Sequence, residues 1–174
     1  MNGMQQIVES LVPDSLDARL VRVLTEHPRI GVLGASRILG VARATVQSRL
    51  DKLIDSGVLL LTPQLDPARF GYPVSALVSL EVQQSFPGDP AAAALQAIPE
   101  VIEIHSISGQ ADLLVRVVAR SNEDLQRVLN QILAVDQVVR TSSSILLRTF
   151  LRARTGTIFE AAAQTGARSR TEDR

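Results

Sequence analysis

The chain of 174 residues contains no cysteine and no tryptophan, and aromatic residues make up only 3% of it. Without cysteine there is no disulfide framework and no thiolate metal site. Packing alone must hold the fold, and 45% apolar against 21% charged residues suits a globular chain. Long apolar runs are missing too. Nothing approaches the roughly 20 residues that a bilayer-spanning helix needs, so no membrane partner is expected. The opening MNGMQQIVESLVPDS has neither the basic start nor the apolar core of a secretory signal. A cytoplasmic location is therefore expected. Only two histidines occur, His27 and His105, and H-E-x-x-H, P-loop, G-x-S-x-G and G-x-G-x-x-G motifs are all lacking. His27 falls at a helix end before proline and His105 within a strand. No catalytic set, metal site or cofactor is selected, and the chain does not read as an enzyme.

Net charge is absent as well, but its distribution is uneven. Residues 16–62 hold seven basic and four acidic residues, whereas residues 63–150 hold six basic and nine acidic. The segment 151–174 has five basic and three acidic residues. A mildly basic head can approach phosphate where an acidic body cannot.

The pattern along the chain explains this division. Residues 1–12 read as a short helical segment, interrupted at Pro13. Asp14 is placed to cap a helix with Asp17 in its first turn. Leu16, Leu20, Val23, Leu24 and His27 recur at helical spacing up to Pro28. A second helix is expected over 32–39, closed by Gly40 in a left-handed cap. A third spans 42–56, with Val46, Leu50 and Leu53 on its inner face and Gly57 at its end. Three helices with two tight connections have the dimensions of a helix-turn-helix unit.

After Gly57 the periodicity changes. Residues 58–73 read as an extended linker broken by Pro63, with turns at Asp66-Pro67 and Phe70-Gly71-Tyr72-Pro73. Strands are expected over 74–82, 101–108, 113–119 and 138–147, and helices over 90–97 and 122–134. The order β-α-β-β-α-β is the split ferredoxin-like arrangement. The fold class is thus α+β: a winged/helix-turn-helix head (1–57), the linker, a ferredoxin-like domain (74–150) and a C-terminal tail (151–174). Within the tail, 166–174 reads as disordered.

A recognition helix reads bases with its N-terminal residues and meets phosphate nearby. Arg43, Ala44, Gln47 and Ser48 are the candidates for base or groove contact. Arginine suits guanine and glutamine suits adenine, while small Ala44 and Ser48 let the backbone sit deep. Lys52 and Arg37 suit phosphate. Thr45 and Arg49 lie on the flanks, and Arg49 is equally placed for an ion pair with Asp17 or Glu26. The alternative reading of the chain is a stand-alone small-molecule module that needs no DNA.

The run Leu16-Asp17, Arg29-Ile30, Gly40, Thr45-Val46, Arg49, Leu53 and Ser56-Gly57-Val58 resembles the Lrp/AsnC (feast/famine) regulators. So do Leu65-Asp66-Pro67, Phe70-Gly71-Tyr72-Pro73, Pro99-Glu100-Val101, Ser108-Gly109-Gln110-Ala111-Asp112-Leu113-Leu114 and Thr141-Ser142-Ser143. The resemblance covers residues 16–150. It implies a DNA-binding transcriptional regulator, a homodimer through back-to-back sheets, and assembly into higher homo-oligomers. It also implies a small-molecule effector, an amino acid, held near the Gly-x-x-Asp turn. Carried over by position, the effector residues are Gly109, Gln110, Ala111, Asp112, Thr141, Ser142 and Ser143. Departures from the family pattern are Ala42 for the usual capping serine, Gly31 and Gly34 in the second helix, and Ala111 for the usual aromatic of the turn. A glycine inside a helix costs up to ~1 kcal/mol.

Overall fold

Asp14 opens the first helix with both halves of a capping box. Its carboxylate accepts from the backbone N–H groups of Leu16 and Asp17, and the Asp17 carboxylate accepts from the N–H of Asp14. Two otherwise unpaired helix-end donors are thereby satisfied. The computed structural model describes residues 11–83 and 90–172, with side chains through Thr165. Up to Ser10, the helical segment expected over 1–12 lies outside the described residues. Contacts divide the chain into two units, one of Gln64–Phe150 and one joining the chain up to Pro63 with the segment from Leu151.

The head is built on α1 (Ser15–Glu26), α2 (Val32–Leu39) and α3 (Arg43–Asp55). Leu20, Val23, Ala35, Leu39, Val46 and Leu53 form its buried core. Gly40 adopts the left-handed conformation at φ 69° and ends α2, a geometry that glycine reaches without the Cβ penalty. Arg19 secures the same corner, because its Nη2 donates to the Leu39 carbonyl at 2.9 Å. From the third helix, Arg49 reaches across to α1. Its Nη1 pairs with Asp14 and, at 3.0 Å, with the buried Asp17.

The last helix, α6 (Gly156–Glu172), belongs to the head as well. It packs along α1. Phe159 lies against the head core, Ala163 is buried, and Arg22 Nε meets Glu160 Oε1 at 2.8 Å. Residues 166–172, expected to be disordered, continue this helix. Anchoring of its first turns on α1 supplies the costly nucleus, after which each added residue gains a backbone hydrogen bond. Residues 60–66 have no regular structure. All strands among the described residues lie in the sheet of the other unit, so the described residues of the head include no wing strand.

That other unit opens with a 3-10 turn (Pro67–Phe70) capped by Asp66. Then follow β1 (Val74–Val82), α4 (Pro90–Gln96), β2 (Val101–Ser106), β3 (Leu113–Ala119), α5 (Asn122–Leu133) and β4 (Val138–Ile145). The antiparallel sheet has the order β2-β3-β1-β4. Alternation along β1 buries Ala76, Val78 and Leu80 with Leu113, Val115 and Val117 of β3. Leu95 of α4 and Leu125, Val128 and Ile132 of α5 complete that core. Since successive side chains point to opposite faces, Ser75, Leu77, Ser79, Leu114 and Arg116 lie on the face away from both helices.

Two helix starts in the head lack a side-chain cap, at Gly31 and at Ala42. Ala42 already has extended geometry at φ −61° and ψ 145°. Ala42→Ser is expected to stabilise the head by about 1 kcal/mol, read as a shift in its denaturant midpoint at unchanged slope. Gly34 behaves differently from an ordinary helix glycine. A Cβ there would lie 2.6 Å from Cγ1 of Ile30, a residue packed against the core. In the same assay Gly34→Ala is expected to give none of the gain that propensity alone assigns it; a gain near 1 kcal/mol would contradict this packing account.

Acid should act on the Asp14–Asp17–Arg49 cluster. Burial pushes the Asp14 carboxyl up, but the Asp17 N–H, the Arg49 guanidinium and the Leu16 N–H together bring it below its usual 3.8. The unfolded chain therefore takes up this proton at a higher pH than the folded head. The resulting stability is present above pH 3.8 and is lost as pH falls through the lower folded value. Asp14→Asn is expected to lower head stability at neutral pH and flatten its acid profile. Equal acid slopes for the two proteins would count against it.

Candidate functional site

Helix α3 presents two chemically distinct sides. Val46 and Leu53 are buried, and Leu50 packs beside them. Outward lie Ala44, Gln47, Ser48, Asp51, Lys52 and Asp55, all exposed. With Leu11, Val12 and Ser56 they line an open groove of about 1080 Å³. Arg43 is exposed at the first position of the helix, and Thr45 is half-buried beside it. Gln47 Nε2 donates to Asp51 Oδ1 at 2.8 Å, one helical turn onward. Arg37 is exposed in the last turn of α2.

The structure therefore brings Ala44, Gln47, Ser48 and Lys52 onto one strip, with Arg43 at its N-terminal end. Arg49 is drawn to the opposite side and engaged by Asp14 and Asp17. Asp14 is the partner that spacing did not suggest. Its position as N-cap of α1 was the available signal, since a cap carboxylate has lone pairs left for a second donor. Arg43 stands in the first turn of α3 while Asp51 and Asp55 lie toward its C-terminal end beside Lys52, leaving the N-terminal end the one suited to an anion.

The second site lies at one end of the sheet. Gln110 and Ala111 of the β2–β3 loop and Thr141 and Ser142 of β4 line a cavity of about 320 Å³. Ser79, Glu81, Ile107 and Arg140 complete its lining. Asp112 fixes the loop. Its backbone N–H donates to the Leu80 carbonyl at 2.9 Å, and its Oδ2 accepts from the Val82 N–H at 2.8 Å. The Ile107 N–H in turn donates to the Asp112 carbonyl at 3.0 Å. Gly109 takes φ 134°, closed to a residue with a side chain unless strained. Gly109 and Asp112 thus shape the pocket, whereas Gln110, Ala111, Thr141 and Ser142 line it. Ser143 pairs with Val78 and is exposed, and it is not among the residues that line the pocket.

Ser79, Glu81, Ile107 and Arg140 were not singled out from sequence. The alternation in Val74–Val82 puts Ser79 and Glu81 on one face, but their neighbours on β4 depend on register. That register sets Ser79 against Ser142 and Glu81 against Arg140. Arg140 Nη1 lies 3.5 Å from Glu81 Oε1. His105 sits on β2 with its Nε2 at 3.6 Å from Glu103 Oε2, apart from both sites, and His27 forms the C-cap of α1. No helix of the described residues is long and apolar enough to cross a membrane.

Comparison with known proteins bears on both sites. Residues 14–54 match the AsnC-type helix-turn-helix domain, and residues 74–155 match the Lrp/AsnC ligand binding domain. The HTH-type transcriptional regulator FL11 of Pyrococcus horikoshii is 28% identical over 137 residues, covering 78% of this chain and 90% of the relative. Among solved structures, the feast or famine regulatory protein from M. tuberculosis complexed with L-methionine is 31% identical. It has a TM-score of 0.71 and covers 81% of this chain and 96% of that one. The structure of E. coli AsnC superposes with a TM-score of 0.76 at 23% identity, covering 84% and 99%; at that identity it speaks for the fold. The chain belongs to the Lrp/AsnC (feast/famine) family of transcriptional regulators, with a helix-turn-helix DNA-binding domain and a ligand-binding domain.

Proposed function

We propose that the chain is a sequence-specific regulator that reads double-stranded DNA with α3 and responds to an amino acid held at the sheet-end pocket. The observation that carries the reading is the division of α3. Arg49 is committed inward to Asp14 and Asp17, while Arg43, Ala44, Gln47, Ser48 and Lys52 remain exposed. A helix presented this way has small residues where the backbone must approach the groove floor and long polar ones where base edges lie. Thr45 flanks this surface, and Arg37 and Lys52 are assigned to phosphate. In this reading Arg49 acts by positioning α3.

The effector assignment rests on the pocket itself, where loop and strand residues 30 positions apart converge. The M. tuberculosis relative is described as complexed with L-methionine, which supports an amino acid as the class of ligand. Gln110, Ala111, Thr141 and Ser142 contact the effector in this reading, while Gly109 and Asp112 hold the loop; Ser143 has a supporting place in the strand. The protein acts in the cytoplasm as a binding protein and not as an enzyme.

Arg43→Ala is expected to weaken specific operator binding by about 1–3 kcal/mol and to relax preference at the contacted position. Lys52→Ala should instead weaken all sequences alike and flatten the dependence of affinity on salt. Footprinting and a salt titration of full-length protein distinguish the two. An unchanged footprint for Arg43→Ala would refute the assignment.

The same reading includes a homodimer, and beyond it a higher homo-oligomer. Leu77 and Leu114 sit half-buried on the sheet face opposite α4 and α5, a face that a second sheet can cover. Leu77→Lys is expected to shift the full-length protein toward monomer in sedimentation at micromolar concentration. An unaltered dimer would reject this face as the interface.

A further inference from the structure

Among the described residues, the sheet-end pocket is lined by one acid and one base, and they face each other. Glu81 of β1 and Arg140 of β4 are register partners whose charged groups lie 3.5 Å apart. Both are substantially exposed, at 40% and 74% of their side chains, so neither is locked into the core. Ser79, Gln110, Thr141 and Ser142 supply neutral hydrogen-bonding groups around them, and Ile107 and Ala111 supply the apolar wall. At about 320 Å³, the space lies at the small end of ligand cavities, which run from roughly 300 to 1,000 Å³.

We infer that Glu81 and Arg140 form a clamp for the two charges of a free amino acid, and that the pocket selects amino acids with uncharged side chains. The inference rests on the effector reading above. Without ligand, the two side chains neutralise each other. A zwitterion placed between them converts one ion pair into two: its ammonium group donates to the Glu81 carboxylate and its carboxylate accepts from the Arg140 guanidinium. No charge is left alone in that arrangement. A ligand with only an acid or only an amine separates the pair and leaves one member unpaired, which is how a polar site rejects an incomplete ligand. Once Glu81 and Arg140 are engaged, the rest of the described lining carries no formal charge. A charged ligand side chain would find no counter-ion there, whereas a neutral one can lie along Ile107 and Ala111.

Position Ala111 strengthens the selection. Its methyl group adds apolar surface and no charge to the cavity wall, so a neutral ligand side chain meets no unpaired ion there. The discrimination therefore comes from two residues on adjacent strands rather than from the turn that shapes the pocket.

The test uses full-length protein, with calorimetry and thermal shift against each standard L-amino acid singly. The N-acetyl and carboxamide derivatives of the best binder complete the set. The expected result is that a neutral amino acid binds and that both derivatives fail. Glu81→Gln and Arg140→Gln should each weaken binding by about tenfold to a hundredfold, the usual cost of losing a hydrogen bond to a charged group. Because both side chains are on the surface, both variants should keep the parent's circular dichroism spectrum and cooperative thermal unfolding without ligand, which excludes misfolding as the cause. If an amino acid binds and both variants bind it as well as the parent, the clamp is overturned while the effector reading stands. If lysine, arginine, aspartate or glutamate binds most tightly, the charge selection is overturned. If no amino acid binds the parent protein, the effector reading fails and the clamp with it.

Discussion

The head depends on one charged knot. Asp17 is buried with 1% of its surface exposed, and a carboxylate in that position is tolerable only if its charge and lone pairs are met. Arg49 and the Asp14 N–H meet them. Asp14 is bound into the same knot through the start of α1. A single guanidinium thus fixes the N-terminal end of the first helix against the middle of the third. Side chains on the opposite side of α3 inherit their direction from it. Hydrophobic packing of Leu20, Val46 and Leu53 supplies the attraction between these helices, yet packing alone permits rotation about a helix axis. A directed ion pair restricts that rotation, and a base-reading helix requires such restriction.

The sheet unit is organised by a different constraint, the two-residue period of β1. One face carries Ala76, Val78 and Leu80 into the core. The other carries Ser75, Leu77, Ser79 and Glu81. The same alternation that builds the core therefore brings Ser79 and Glu81 to the pocket at the sheet end. Asp112 then folds the β2–β3 loop over that end by binding the backbone of β1 at Leu80 and Val82. This explains why an aspartate in the turn matters even where its carboxylate touches no ligand. It holds Gln110 and Ala111 beside Thr141.

Much of this was legible in the sequence because it is encoded locally. Asp14, Gly40 and Gly57 mark helix ends through their own backbone preferences, and the apolar periods of α3, β1 and β3 identify their buried faces. What sequence left open depends on register and rotation. Arg49 had two candidate acids at suitable spacing and is bound by Asp17 and, in addition, by Asp14. Glu81 and Arg140 lie 59 positions apart and meet only because of how β4 slides along β1. Gly34 reads as a weak helix residue until the Ile30 side chain is seen to fill the space beside it. The residues after Thr165 look unstructured by composition. Their helix is set by the contacts of Phe159 and Ala163 earlier in the same segment.

The chain passes between its two units twice, near Pro63 and again near Phe150. The second passage begins at β4, the strand that carries Arg140, Thr141 and Ser142 into the pocket. It ends at α6, which packs on α1, and α1 in turn holds α3 through the Asp14–Asp17–Arg49 knot. The covalent chain thus runs from β4 to α6 through residues 146–155, which have neither helix nor strand. Continuity of this kind does not by itself move DNA affinity. An amino acid changes that affinity only as far as it binds two arrangements of the protein unequally. The Glu81–Arg140 pair supplies such a difference on the pocket side, since it is closed on itself without ligand and must separate to admit one.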